Sequence, residues 1–332
     1  MSNRIVTIIA GVILGVACTM AQAQERITLI VGGIEKQIYL PVKLAERLGY
    51  FAEQGLNIEL LSENSGVNAE DELLAGSVQG VIGFYDHTID LQARGKATQS
   101  VVQLSQAPGE VELVSTRLAE VIRSPADFGG RTLGVTGLGS STNFLTLYLA
   151  ASHGVRLSTL RTIPVGSGNK FIAAMQSGKI DAGMTTEPTA SRMLKSGAAR
   201  VLVDLRSPED TRRALGGLYP AACLYMQTAW IKTHRSDVQK LANALVKALR
   251  YIHSHSADEI ADQMPAAFHA GDRATYVEAL EKGRGMFTRD GRMPATGPET
   301  VLKVLQRYDR SVQGKKIDLS KTFTTEFVAA AP

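Results

Sequence analysis

The segment from Arg131 to Gly154 constrains the fold most strongly, because it joins a strand to a helix through a glycine-rich turn. Residues 131–135 form a short β-branched and apolar run between glycines, which predicts a buried strand. Ser140 to Thr142 then stand where a helix begins, and Gly154 stands where one ends. A strand that leads directly into a helix is typical of parallel sheets covered by helices. The segment therefore predicts an α/β fold.

The first turn of this predicted helix is a candidate ligand site. The first amides of a helix have no partner within it and carry the positive end of the helix dipole. Gly139, Ser140, Ser141 and Thr142 would therefore present amides and hydroxyls to a carboxylate, sulfonate or phosphate. Serine and threonine also cap helices routinely, so an ordinary N-cap is the alternative.

The alternation of strands and helices extends over most of the chain. Strands are predicted at 27–31, 57–61, 78–84, 101–104, 111–115, 131–135, 162–165, 181–185 and 201–205. The carboxyl-terminal part becomes helical, with apolar residues on one face from Val238 to Ile252. Ser236 and Gln239 have the spacing of a capping box at the start of that helix. We expect mainly parallel sheets flanked by helices.

The amino terminus has the features of a secretory signal peptide. Arg4 precedes the apolar run 5–17, and Ala21-Gln22-Ala23 offers a small-x-small cleavage site. The run is too short for a permanent membrane anchor. We therefore expect residues 1–23 to be removed and the protein to be periplasmic, with lipid attachment at Cys18 as the alternative.

Charge and cysteine content limit the partners of the mature chain. Removing Arg4 from 36 basic residues leaves 35 against 32 acidic ones, and the basic residues are scattered, which argues against nucleic acid as a partner. Cys223 would be the remaining cysteine, and its apolar surroundings indicate an inert core thiol. His253 and His255 face different directions on a predicted helix, so we expect no metal site, and no cofactor is expected.

Four stretches carry a resemblance to a known family. They are LAERLGYFAEQGL at 44–56, LAG at 74–76, GSST at 139–142, and SGKIDA at 177–182 followed by Glu187-Pro188. In this order the chain resembles the solute-binding proteins of nitrate, taurine and alkanesulfonate ABC importers, which are grouped with thiamine-pyrimidine-related proteins. The resemblance covers most of residues 27–205.

The resemblance implies a two-lobe periplasmic-binding-protein clamp of type II. In such a clamp a small-molecule ligand lies between the lobes, and the closed form is presented to an ABC permease in the inner membrane. We expect residues 26–107 and 218–332 to form one lobe and residues 108–217 the other, in a monomeric protein. Open α/β sheets bind ligands at the carboxyl ends of their strands, which independently places the cleft there.

Loops at those strand ends supply the candidate ligand contacts. Lys36 and Gln37 would offer a charge and an amide, or be solvated turn residues. Glu187 would face the cleft, or pair with a lysine. The full set of expected contacts is Lys36, Gln37, Ser65, Tyr85, Asp86, His87, Gly139, Ser140, Ser141, Thr142, Asn169 and Glu187.

The sequence Tyr85-Asp86-His87 bears on the chemistry of the ligand. An aromatic ring, a carboxylate and an imidazole at one strand end would suit a ring-bearing ligand, whereas the alternative is that Asp86 caps the next helix and His87 faces solvent. Acidic and aromatic groups beside an anion site favour a small organic acid, a sulfonate or a carboxylate, over a bare inorganic ion. An aminopyrimidine is the other option.

Motifs for catalysis do not match the chain. The serines after Gly137 do not have the GxSxG spacing, and residues 166–170 lack the spacing of a phosphate-binding loop. Relatives that make the thiamine pyrimidine carry a cysteine-rich motif that this sequence lacks. We therefore expect a binding protein and not an enzyme, with a thiamine-pyrimidine-related protein of the same fold as the alternative.

Overall fold

The computed structural model describes residues 26–332, so the predicted signal peptide lies outside the described residues. Two five-stranded sheets organise this part of the chain. The strands are β1 (Arg26–Val31), β2 (Asn57–Ser62), β3 (Gly80–Phe84), β4 (Thr98–Gln103), β5 (Glu110–Ser115), β6 (Thr132–Val135), β7 (Arg161–Pro164), β8 (Ala182–Thr186), β9 (Ala199–Leu205) and β10 (Ala222–Gln227). Sheet I has the order β2-β1-β3-β10-β4, and sheet II has the order β7-β6-β8-β5-β9.

Helices cover both sheets and dominate the carboxyl-terminal part. They are α1 (Leu40–Arg47), α2 (Tyr50–Glu53), α3 (Gly66–Ala75), α4 (Asp86–Ala93), α5 (Ser141–Ser152), α6 (Asn169–Gln176), α7 (Thr189–Lys195), α8 (Pro208–Leu215), α9 (Thr228–Thr233), α10 (Arg235–Ser254), α11 (Ala257–Gln263), α12 (Arg273–Gly283), α13 (Gly297–Gln306) and α14 (Glu326–Ala329). None of the helices within residues 26–332 has both the length and the apolar character needed to cross a bilayer.

Each sheet contains one reversed strand, and both reversals have the same cause. β10 is antiparallel to β3 and β4, and β5 is antiparallel to β8 and β9. β5 is the first strand after the chain leaves sheet I, and β10 is the first strand after it returns. A chain that leaves one sheet at the carboxyl ends of its strands enters the facing sheet from that same side. The predicted α/β architecture of two lobes is confirmed, with sheets that are mixed.

Helix α10 carries the predicted buried face but begins differently from the prediction. Its apolar residues, such as Leu241 and Leu245, are fully buried. The N-cap position is held by His234, and Ser236 makes no capping box. The Gln239 side chain instead donates hydrogen bonds to Asn243 and to the carbonyl of Phe327. Gln239 therefore bonds to Phe327 and does not take part in a cap at the start of α10.

Cys223 lies in the middle of β10 and is completely buried. Burial raises the pKa of its thiol far above the ordinary value, with a smaller opposing effect from a hydrogen bond to Ser100. The thiolate is the reactive form of cysteine. Cys223 is thus an inert core residue, as the sequence indicates.

Candidate functional site

The two lobes, one around each sheet, meet at a buried cavity of about 10 Å³. This volume accommodates about one water molecule. The cavity is lined by side chains and backbone from both lobes: Lys36, Tyr39, Gly66, Phe84, Glu110, Thr136, Ser140, Ser141, Thr142 and Thr186. It lies at the carboxyl ends of β1, β3, β6 and β8, where the sequence places the ligand cleft.

The start of α5 forms one wall of the cavity and is held by hydroxyl groups. The Ser140 hydroxyl donates to the Gly137 carbonyl (2.7 Å), and the Thr142 hydroxyl accepts from the Thr136 amide (3.0 Å). The hydroxyls of Thr136, Ser140 and Thr142 lie 2.9 Å from one another. Ser140 makes no side-chain cap to the helix amides. The serine therefore braces the turn and leaves the first amides of α5 without a side-chain cap from that position.

Gly139 permits this turn to reach the helix. Its φ of +83° lies in the left-handed region that glycine adopts at low cost. Its amide donates to the Asn143 side chain at 3.0 Å. Gly139 thus shapes the site, and its amide is already engaged.

The Asp86 carboxylate crosses the cleft to the start of α5. One of its oxygens accepts a hydrogen bond from the Ser141 hydroxyl (2.9 Å), and the other accepts from the Tyr219 hydroxyl (2.8 Å). Burial raises the pKa of Asp86 above its ordinary value, although the charge of His87 and both hydroxyl bonds oppose this rise. Asp86 does not cap α4, because it lies inside the first turn and Tyr85 holds the N-cap position. A carboxylate therefore lies against the α5 hydroxyls.

Lys36 and Glu110 place further ionisable groups beside the cavity. The Lys36 ammonium is buried, donates to the Gly32 carbonyl, and lies 6.0 Å from the centre of the Tyr39 ring. Burial lowers the pKa of Lys36, with the charges of Glu35 and Glu110 opposing the fall. One Glu110 oxygen is buried without a hydrogen-bond partner among residues 26–332. Burial and the charge of Asp86 raise the pKa of Glu110 well above its usual range.

His87 lies one layer behind the cavity and does not face solvent. Its Nδ1 forms a buried ion pair with Glu70 at 2.8 Å, and Glu70 also pairs with Arg94. A Cβ atom built on Gly66, which lines the cavity, would lie 2.9 Å from His87 Nε2. Burial acts to lower the pKa of His87, but the hydrogen bond and charge of Glu70 outweigh it and raise the pKa to about 9. The imidazole is therefore a buried cation at neutral pH.

Tyr85 is one of three expected ligand contacts whose side chains are engaged elsewhere. The Tyr85 hydroxyl bonds with Thr322 and its ring packs edge-on against Phe323. Gln37 donates its side-chain amide to the Tyr276 carbonyl (2.8 Å). Both side chains are buried in the protein's own packing.

Ser65 is the third of these side chains, although it lies at the junction of the lobes. Its hydroxyl donates to the Asn68 side chain at 2.9 Å at the start of α3. A Cβ atom built on Gly137 would lie 2.8 Å from the Ser65 hydroxyl. Ser65 therefore marks a close approach between the lobes beside the cavity.

Asn169 and Glu187 also lie outside the cavity lining. Asn169 is exposed and accepts from the Arg192 guanidinium at 2.8 Å. Glu187 is buried, pairs with Arg206 at 2.7 Å and accepts from the Ser191 hydroxyl and amide. The pairing alternative for Glu187 therefore applies, with an arginine in place of the expected lysine. Both side chains therefore have an arginine partner within the second lobe.

Sequence reasoning missed Glu110, Thr136 and Thr186. Glu110 and Thr186 are register partners in β5 and β8, so antiparallel pairing brings them together at the cavity. The available signal was the alternation of Glu110 and Glu112 with apolar residues, because residues two apart on a strand face the same side. Glu112 is also buried, which raises its pKa to about 8 although the Thr146 hydroxyl donates to it (2.9 Å).

Solved structures of other proteins share this two-lobe fold. A protein of Bordetella bronchiseptica RB50 has a TM-score of 0.88 and 34% identity, covering 92% of this chain and 96% of that one. The periplasmic nitrate-binding protein NrtA of Synechocystis PCC 6803 has a TM-score of 0.73 at 12% identity, covering 92% and 87%. The alkanesulfonate-binding protein SsuA of Xanthomonas axonopodis pv. citri, bound to MOPS, has a TM-score of 0.70 at 15% identity, covering 91% and 99%. The fold is that of periplasmic binding proteins.

The chain belongs to the NMT1/THI5-like family, which it matches over residues 38–259. This match confirms the resemblance seen in the sequence. The yeast relative THI13 of Saccharomyces cerevisiae is 25% identical over 236 residues, which cover 69% of this chain and 67% of the relative.

The names of curated relatives overturn one expectation. THI13 and further relatives are named 4-amino-5-hydroxymethyl-2-methylpyrimidine phosphate synthases, which are enzymes. The expectation that this chain is not an enzyme is therefore wrong as a conclusion from the sequence. Missing motifs of other enzyme classes do not exclude an activity that arises within this fold.

Proposed function

We propose that the protein is the exported solute-binding component of an ABC importer and captures a small organic anion between its lobes. The lobes comprise residues 26–107 with 218–332, and residues 108–217. The protein acts in the periplasm as a monomer, after removal of residues 1–23, and delivers its ligand to a membrane permease. The names of NrtA and SsuA, which share the fold, support an anionic ligand.

The hydrogen bond between Ser141 and Asp86 carries this proposal. It joins a helix start in one lobe to a carboxylate in the other at 2.9 Å, with both side chains buried. The contact supports an oxyanion site at the α5 hydroxyls, because a carboxylate from the other lobe already accepts a hydrogen bond there. A ligand carboxylate or sulfonate would take the place of Asp86 when the lobes open.

The charged groups around the cavity favour an organic anion over an inorganic one. Lys36 supplies a buried amino group, while Asp86 and Glu110 supply buried carboxyl groups. An organic acid with a further polar group can bind the lysine with its anionic group and the two carboxyl groups with its polar group. A bare inorganic anion can bind only the lysine.

A thermal-shift screen of the mature chain tests this proposal. The probes are nitrate, taurine, alkanesulfonates, benzoate, phthalate, amino acids and aminopyrimidines. Ligand at a thousandfold excess over Kd stabilises the folded state by about 4 kcal/mol, which raises Tm by several degrees. A shift with an organic acid supports the proposal, and a shift with none of the acids contradicts it.

Ser141→Ala locates the site, with Ser152→Ala as the matched control at the other, exposed end of α5. We expect Ser141→Ala to raise the Kd for the organic acid about tenfold in isothermal titration. This is the effect expected from the loss of one charge-assisted hydrogen bond. Ser152→Ala should leave Kd unchanged. Equal Kd values for both variants would remove α5 from the site.

Pyrimidine phosphate synthesis is a second candidate function, and the names of the curated relatives favour it. Its test is expression of the chain without residues 1–23 in cells unable to make that pyrimidine phosphate. Growth without added pyrimidine would support synthesis. Absence of growth with folded protein present would contradict it.

A further inference from the structure

A pocket of about 620 Å³ lies next to the buried cavity. Thr136 lines both spaces, and its hydroxyl belongs to the cluster that braces α5. Most of the pocket wall comes from the carboxyl ends of β6 and β7 and from α6, while Asn64 reaches it from the loop after β2. The pocket therefore begins beside the cleft, at the carboxyl edge of sheet II, and extends along α6 to Ser177 and Lys179 after its end.

Two lysines give this pocket an unbalanced positive charge. Lys170 and Lys179 line it, and its wall contains no aspartate or glutamate. Neither lysine forms an ion pair within residues 26–332, whereas Lys247 and Lys282 pair with Glu53 and Glu278. Charges of one sign in a cleft raise the local concentration of counter-ions.

A second large pocket has a different charge pattern. This pocket of about 820 Å³ is lined by Arg284 and Arg292 and also by Glu281 and Asp290. These residues pair with one another, Arg284 with Glu281 at 3.0 Å and Arg292 with Asp290 at 3.3 Å. Its arginines are thus partly neutralised, unlike the lysines beside the cleft.

Part of the wall of this pocket is apolar. Pro164, Val165, Ala173 and Ala174 line the pocket beside the two lysines. A volume of about 620 Å³ falls within the range of roughly 300–1,000 Å³ typical of small-molecule sites. A ligand lying here would have an apolar body with a charged group at each end.

We propose that Lys170 and Lys179 form a second anion subsite, which binds the distal carboxylate, sulfonate or phosphate of a dianionic ligand. This inference rests on the proposed function, in which the first anionic group lies at the start of α5. The lysine pocket selects for elongated dianions over monoanions of the same length.

Isothermal titration with two matched series of acids tests the subsite. The probes are straight-chain dicarboxylates from succinate to suberate and the monocarboxylates of equal length. We expect at least one dicarboxylate to bind tenfold tighter than its monocarboxylate. In Lys170→Gln/Lys179→Gln this advantage should fall below threefold, while the monocarboxylate Kd changes by less than twofold.

A double variant at exposed lysines outside the pocket is the control. Lys96→Gln/Lys232→Gln makes the same change in net charge and should keep the tenfold advantage. Ser141→Ala should weaken both series together, since it acts at the first anion.

Other results would overturn the inference. A dicarboxylate advantage that persists without the pocket lysines, or an equal loss for both series, would remove the subsite and leave the proposed function standing. If a monocarboxylate binds and no dicarboxylate binds more tightly than its monocarboxylate of equal length, the subsite is likewise removed and the proposed function stands. If no organic acid, including those of the thermal-shift screen, binds the unmodified chain, the proposed function fails and the subsite fails with it.

Discussion

The ion pair of Glu70 with His87 and that of Lys195 with Asp272 have similar lengths, 2.8 and 2.6 Å, in different surroundings. The side chains of the first pair are each 1% exposed, whereas those of the second are 61% and 34% exposed. Water screens the second pair and not the first. Removing one partner of a buried pair leaves a charge without compensation, so burial and not distance decides the cost.

The largest effect is expected from Glu70→Gln, which removes the carboxylate that balances the His87 imidazolium. Loss of one partner from a buried ion pair costs about 3–5 kcal/mol of the free energy of unfolding. Urea denaturation measures the change. Asp71→Asn, at an exposed neighbouring position, is the matched control and should change it by less than about 0.5 kcal/mol. Equal effects of the two variants would contradict the importance of burial.

The pH dependence of stability is expected to be the next largest effect. The pKa of His87 rises from 6.5 to about 9 on folding, so its stabilisation is complete below pH 6.5 and is lost as pH rises through 9. A shift of this size corresponds to roughly 3 kcal/mol. Urea titrations at pH 6 and pH 9.5 measure it. His87→Gln, which keeps a hydrogen-bond donor without titrating there, should reduce this difference, and an unchanged difference would exclude His87 as its source.

Lys195→Gln is expected to have the smallest effect. The lysine loses an exposed ion pair and keeps a side-chain amide that can hydrogen-bond to Asp272 or Thr275. Exposed pairs typically contribute little to stability. Differential scanning calorimetry should show no resolvable change in Tm. A loss of stability comparable to that expected for Glu70→Gln would show that the contact between α7 and α12 stabilises the protein far more than its exposure implies.

Features set by local sequence were predictable, and those set by distant contacts were not. The turn before α5 follows from glycines and hydroxyl residues within a few positions, so the sequence located it. The partner of the Tyr85 hydroxyl could not be predicted, because Thr322 lies 237 residues further along the chain. Glu110 was missed because its place at the cavity depends on pairing with Thr186 in another strand.

The reversed strand β10 also sets the order in which sheet I is completed during synthesis. It separates β3 from β4 in the finished sheet, yet Ala222 emerges long after Gln103, the last residue of β4. Until then β3 and β4 present unpaired edges to each other across an empty position. Unpaired strand edges are prone to non-native association, and long-range pairing is slow. Sheet I therefore cannot be completed until every strand of sheet II has been synthesised.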